Sequence, residues 1–217
     1  MEIDTRALSA PDRYKLLIGC IVPRPIAFVS TISPDGRPNL APFSFFAGVG
    51  SDPMTVLFCP ANETDGSEKD SLRNAKLSTE GGTGEFVINA ATEANARQVA
   101  GASEPLPYGQ SEFEFVGLTP ARSIVVGPPR VLESPFAFEC RTVQVIRTNP
   151  GKPAGGNIVI GEVVHAFVRD DVINVRFHAD PARLLAIGRM GGTTYCRTRD
   201  RFDLPRGAAA LTRAEER

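Results

Sequence analysis

Glycine and proline cut every apolar stretch of this chain short, and that punctuation constrains the fold more than any other feature. The 217 residues hold 20 Gly and 18 Pro, about 17% together against about 12% in ordinary proteins. A surplus of this size, with ample Val, Ile, Leu and Phe between the breaks, predicts many short strands joined by tight turns. Val22-Pro23-Arg24-Pro25 forbids helix and reads as an extended entry to a strand over 26–32. Ser33-Pro34-Asp35-Gly36 is a turn, with Pro presetting one dihedral and Gly accepting a positive one. An extended segment over 37–46, a turn at Ser51-Asp52-Pro53 and a buried strand over 54–59 follow.

Further along, the pattern predicts a helix over 69–77 closed by Gly81, Gly82 and Gly84, and a strand over 85–90. A second helix over 93–100 is capped by Thr92 and ended by Gly101. A polar surface loop spans 104–114, and strands follow over 123–126, 136–147, 157–168 and 172–177. Asp170-Asp171 turns the chain between the last two. About seven strands and two short helices make a mainly β fold, antiparallel, with accessory α-helices. The chain reads as one domain over 1–217, with a core over about 20–197, an N-terminal arm and a C-terminal tail. The tail over 197–217 reads as either a short closing helix or partly disordered chain.

Charge and composition exclude several functions. Lys and Arg number 24 against 25 Asp and Glu, so no net basic charge is present to displace counterions from nucleic acid. No apolar run approaches the ~20 residues of a membrane span. The acidic start Met1-Glu2-Ile3-Asp4 has no apolar signal region, which points to a cytoplasmic protein. Cys20, Cys59, Cys140 and Cys196 are widely spaced and read as free thiols. With two histidines, His165 and His178, no zinc cage can be assembled from local ligands.

Searches for catalytic motifs yield little. Gly48-Val49-Gly50 starts a dinucleotide fingerprint, but Pro53 stands where its third Gly belongs. Gly151-Lys152 lacks the rest of a phosphate loop, and no Ser nucleophile elbow is present. Small polar residues at strand ends remain. Ser30 and Thr31 point to opposite faces of one strand, Asn39 to Ser44 is extended with polar tips, and Lys69-Asp70-Ser71 starts a helix, where free amides favour a phosphate. Taken singly, each has a structural reading too: a cap at Asp70 or Ser71, a turn at Asn39, core hydroxyls bonded to backbone.

Together these segments resemble the flavin reductase-like, FMN-binding split-barrel family. The likeness is carried by Arg24-Pro25-Ile26-Ala27-Phe28-Val29-Ser30-Thr31, Asp35-Gly36, Asn39-Leu40-Ala41-Pro42-Phe43-Ser44-Phe45-Phe46 and Asp52-Pro53. It continues through Lys69-Asp70-Ser71-Leu72-Arg73-Asn74, Gly84-Glu85-Phe86-Val87-Ile88-Asn89 and Gly161-Glu162-Val163-Val164-His165, and ends at Gly188-Arg189-Met190-Gly191-Gly192 with Tyr195. It implies a Greek-key-like split β-barrel and a homodimer with FMN near the subunit interface. Ser30, Thr31, Lys69, Asp70 and Ser71 would then hold the phosphate and ribityl chain. Asn39, Leu40, Ala41 and Ser44 would lie along the flavin, and Arg189 would approach it from the C-terminal segment. The implied activity is an NAD(P)H:flavin oxidoreductase, with NADH or NADPH as reductant and a partner monooxygenase as a possible acceptor. No side-chain acid or base and no metal is required, because the cofactor carries the electron chemistry. The same site also suits an FMN electron carrier or sensor without nicotinamide turnover, or a module for partner contacts. The segments 104–114 and 149–156 read as lids, dimer contacts or plain turns.

Overall fold

The computed structural model describes residues 1–107 and 110–211 of the chain. Helix α1 (Ala10–Cys20) precedes strands β1 (Arg24–Pro25), β2 (Ala27–Ile32), β3 (Pro38–Phe43), β4 (Phe46–Ser51) and β5 (Met54–Phe58). Helix α2 (Asp70–Ala75), β6 (Glu85–Ala90), α3 (Ala96–Gly101) and α4 (Glu112–Val116) follow, then β7 (Pro120–Ala121) and β8 (Arg130–Val131). The long hairpin β9 (Phe136–Arg147) and β10 (Asn157–Val168) leads to α5 (Pro181–Leu184), β11 (Ile187–Arg189) and β12 (Tyr195–Arg197). Seven strands form one sheet in the order β3-β2-β6-β9-β10-β5-β4, antiparallel throughout.

That order forces the sheet to curl. Strands β3 and β4 stand at opposite edges, yet only Ser44 and Phe45 join them. Laid flat, seven strands would hold their edges ~29 Å apart at about 4.8 Å per gap. Two residues reach at most ~11 Å. The sheet therefore rolls into a barrel that hydrogen bonds leave open between β3 and β4. Its interior is filled by Ala27, Val29, Phe43, Phe58, Phe86, Ile88 and Val159, with Leu72 and Ala75 of α2 packed into the same cluster. Residues that alternate with these on β2 and β3, Phe28 and Leu40, face a second cluster with Val99 of α3, Phe113 of α4 and Val131. Strand β2 is thus buried on both faces, as its unbroken apolar run requires. Gly161 on β10 leaves room for the ring of Phe86, whose Cε1 would lie 2.5 Å from a Cβ at that position.

Several expectations need correction. The N-terminal arm contains α1, capped by Ser9, whose Oγ accepts from the Asp12 amide at 3.2 Å. It buries no residue, so no apolar stripe announced it. Residues 123–126 are a bent loop, because the Ile124 and Val125 amides donate to the Glu139 carboxylate at 2.8 and 2.7 Å and leave no ladder. Residues 172–177 hold turns and one isolated antiparallel bridge, Ile173 to Ala179, in place of a strand: Asn174 Oδ1 accepts from the amides of Arg176 and His178, at 2.9 and 3.1 Å. His178 accordingly sits in a turn, and the Asp170-Asp171 turn does not join two strands. The extended run over 37–46 breaks at Ser44–Phe45, and Gly48-Val49-Gly50 belongs to the edge strand β4. The second helix begins as a 3₁₀ turn over Glu93–Asn95 before α3. The 104–114 segment ends in α4, with Glu112 and Phe113 buried; its residues 108 and 109 lie outside the described residues. In the tail, Gly207–Ala210 is a 3₁₀ turn and 212–217 lie outside the described residues. The sheet, the hairpins and the strands over 85–90, 136–147 and 157–168 stand as expected.

Candidate functional site

A cavity of about 350 Å³ opens where β3, α2, α4 and the end of α3 meet. Small-molecule sites occupy about 300–1,000 Å³. Strand β3 supplies Asn39, Ala41 and Phe43, and α2 with its approach supplies Ser67, Lys69, Asp70, Ser71 and Arg73. Asn39 ties the two elements together, its Nδ2 donating to Ser71 Oγ at 2.9 Å. Helix α2 has no side-chain cap, since Lys69 at its start makes none, so its first amides have no side-chain acceptor. Ser103, Glu104, Pro105 and Leu106 form the opposite wall.

The lining is charged on both signs. Lys69 Nζ lies 2.7 Å from Glu63 Oε1, and Arg73 pairs with Asp70 at 2.9 Å. Both pairs are around 40% exposed, so each is worth little and can re-pair with an incoming anion. Glu68 is held more tightly, by Lys76 at 2.8 Å and Arg147 at 2.9 Å. Burial pushes its pKa up, but the hydrogen bonds from Lys76 and Arg147 outweigh burial and leave it below the usual value. Glu112 goes the other way. Its carboxyl is buried at the cavity wall; burial raises its pKa, the Leu40 amide donating at 2.9 Å opposes this, and the charge of Asp70 adds to it.

The structure brings together five of the expected residues: Asn39, Ala41, Lys69, Asp70 and Ser71. It places the other five elsewhere. Ser30 is fully buried on the far face of β2, donating to the Pro129 carbonyl at 2.5 Å and accepting from Asn89 Nδ2 at 3.2 Å. Thr31 is also fully buried, its hydroxyl accepting from Asn74 Nδ2 at 3.1 Å. Leu40 turns its side chain into the second core cluster. Ser44 Oγ accepts from Arg24 Nε at 3.1 Å, and Arg189 stacks on the Tyr195 ring with its guanidinium carbon 4.4 Å from the centroid. None of these five lines the cavity. His165 lies on β10 with Nδ1 3.3 Å from Glu139 Oε1, also away from it.

Sequence reasoning missed Glu112, Ser67, Arg73 and the wall over 103–106. Glu112-Phe113-Glu114-Phe115 alternates like a strand and hides a single helical turn. Its one clue is the apolar pair Phe113 and Val116 at helical spacing.

Comparison with known proteins agrees with this architecture. The family described as "flavin reductase like domain" matches residues 18–183. An uncharacterized protein from Halalkalibacterium halodurans is 36% identical over 215 residues, covering 98% of this chain and 100% of that one. Component B of nitrilotriacetate monooxygenase from Bacillus cereus has a similar structure, with a TM-score of 0.86 and 30% identity over 94% of this chain and 98% of that one. The 2-nitrobenzoate 2-nitroreductase of Pseudomonas fluorescens follows at 0.82 and 29%, covering 96% and 97%. A protein with a split barrel domain from Shewanella frigidimarina shares the fold at a TM-score of 0.76 and 21% identity, covering 95% and 100%.

Proposed function

The chain belongs to the flavin reductase-like family, and on that premise we propose that it binds FMN in the β3–α2 cavity and reduces it with NADH or NADPH. The observation that carries this reading is the donor set of the cavity. Lys69, Arg73, Ser67, Ser71 and Ser103 gather hydroxyls and two cations around the uncapped start of α2, the chemistry that a phosphate dianion and a polyol chain require. Ala41 and Pro42 put small side chains on the β3 wall, where a flat ring would approach the backbone. Glu63, Glu68, Asp70, Glu104 and Glu112 line the same cavity, so the fit to a phosphate rests on Lys69 and Arg73 exchanging their exposed carboxylate partners for it.

In this reading Lys69 and Arg73 turn from Glu63 and Asp70 to the phosphate. Asn39 fixes Ser71 at the rim. Glu112 holds the β3 backbone at Leu40 and so sets the height of the wall. Bound flavin supplies the hydride-accepting chemistry, while the chain binds, orients and shields it from water. The monooxygenase component among the similar structures supports a partner oxygenase as acceptor. A homodimer is supported by the outer sheet face, where Val49 and Ile146 are 54% and 40% exposed beside Leu57, Ile158 and Ile160. An apolar patch of this kind, running from the central strands to the edge strand β4, needs covering.

The test is to purify the protein, record its absorbance, titrate FMN, and follow NADH and NADPH oxidation with FMN present. Flavin binding and turnover support the proposal. Binding with reduction by light or a partner only would make it a carrier, and no binding would end the reading.

A further inference from the structure

We propose that a second cavity beside the first binds the adenylate half of a dinucleotide. The proposal rests on reading the first cavity as the flavin site. The second cavity, of about 580 Å³, lies between β3 and α4, and Leu106 lines both. A small gap of about 20 Å³ lies between them along β3: Asn39 and Asp70 on its lining also line the first cavity, and Arg37, Pro38 and Gln110 the second. The two cavities therefore adjoin along Pro38 and Asn39, close enough for one extended ligand to span both.

Its chemistry is that of an adenosine phosphate. Phe115 on α4 is 56% exposed and lines the cavity, while Phe113 two residues earlier is 1% exposed and anchors the helix in the core. The exposed ring is therefore held on a rigid mount, and base–aromatic stacking is a favourable contact. Ser111 Oγ, on the lining, is buried without a hydrogen-bond partner, and it does not cap α4. A buried hydroxyl left unpaired is costly unless something supplies its bond. Gln110 and Glu114 offer acceptors for an exocyclic amine, and the Arg37 guanidinium, paired with Asp35 at the exposed turn, is the cation for a phosphate. Adenine with its phosphate uses the ring, the acceptors and the cation together. The adenylate has two sources, a nicotinamide dinucleotide or FAD.

The experiment titrates AMP into the full-length protein by calorimetry, for wild type, Phe115→Ala and Ser111→Ala, with thermal melts to confirm folding. Wild type should bind AMP, and Phe115→Ala should weaken it roughly tenfold through lost stacking. No AMP binding by wild type, or equal binding by Phe115→Ala, overturns the proposal. In turnover, a rise of about tenfold in the Phe115→Ala KM for NADH, with that for reduced nicotinamide mononucleotide unchanged, assigns the adenylate to the reductant. A fall in FAD affinity to that of FMN, with the NADH KM unchanged, assigns it to the flavin. AMP binding that depends on Phe115 in a protein that does not bind FMN would sink the flavin reading and leave the adenylate site standing, so the two failures are distinct.

Discussion

Replacing Gly161 by Ala probes the barrel interior directly. Gly161 pairs with Thr142 on β9 and Val56 on β5, and a methyl there would overlap Cζ of Phe86 and lie 2.5 Å from Cε1. Phe86 is fully buried, and the ring of Phe58 stands edge-on to it with centroids 5.1 Å apart. The ring has no free volume to enter, so backbone or neighbours must shift, at a cost of about 1–3 kcal/mol. For a chain of this size that lowers Tm by roughly 2–12 °C. Differential scanning calorimetry of Gly161→Ala, Phe86→Leu and the double variant measures both loss and coupling. Removing the ring edge should recover much of the loss, so the double variant is more stable than the sum of the singles by ~1 kcal/mol. A Gly161→Ala protein melting with wild type, or strictly additive losses, would refute the steric argument.

Lys69→Ala should weaken FMN roughly 10–100-fold by losing a charge-assisted bond of about 1.5–3 kcal/mol, whereas Glu63→Gln should tighten it by freeing Lys69; fluorescence titration reads both, and equal affinities would exclude Lys69 from the phosphate site. Glu68 has a folded pKa below its ordinary 4.5, so its stability contribution is complete above that value and is lost as pH falls through the folded pKa. Glu68→Gln should flatten the acid limb of a Tm–pH curve, and an unchanged limb would count against the Lys76 and Arg147 contacts. Cys20 is exposed, whereas Cys140 is fully buried with its thiol pKa pushed up by burial and by Glu139. A thiol reagent should therefore label Cys20 in the native state and Cys140 only on unfolding, which mass spectrometry of timed samples would reveal.

Much of the barrel was legible because its strands are apolar runs bounded by Gly or Pro. The segments 85–90, 136–147 and 157–168 match β6, β9 and β10. The same local signal failed at 123–126 and 172–177, where side-chain acceptors, Glu139 from a distant strand and Asn174 from within the turn, take the amides a ladder would use. Helix α1 carried its cap in Ser9-Ala10-Pro11-Asp12 but buries nothing. At the site, Asn39, Ala41, Lys69, Asp70 and Ser71 were legible as extended and helix-start polar groups. Ser30 and Thr31 have the right chemistry, but their hydroxyls already serve Pro129, Asn89 and Asn74. Glu112 was invisible, since its role exists only once α4 packs on β3.

The two-residue link at Ser44–Phe45 has an evolutionary consequence. It sets the circumference of the barrel, because its reach decides how far the edges of β3 and β4 can part. Hairpin tips can lengthen across related sequences without altering the wall, but an insertion here would widen the seam and slacken the strand that carries Asn39 and Ala41. Among descendants of this chain, length at that corner should drift least.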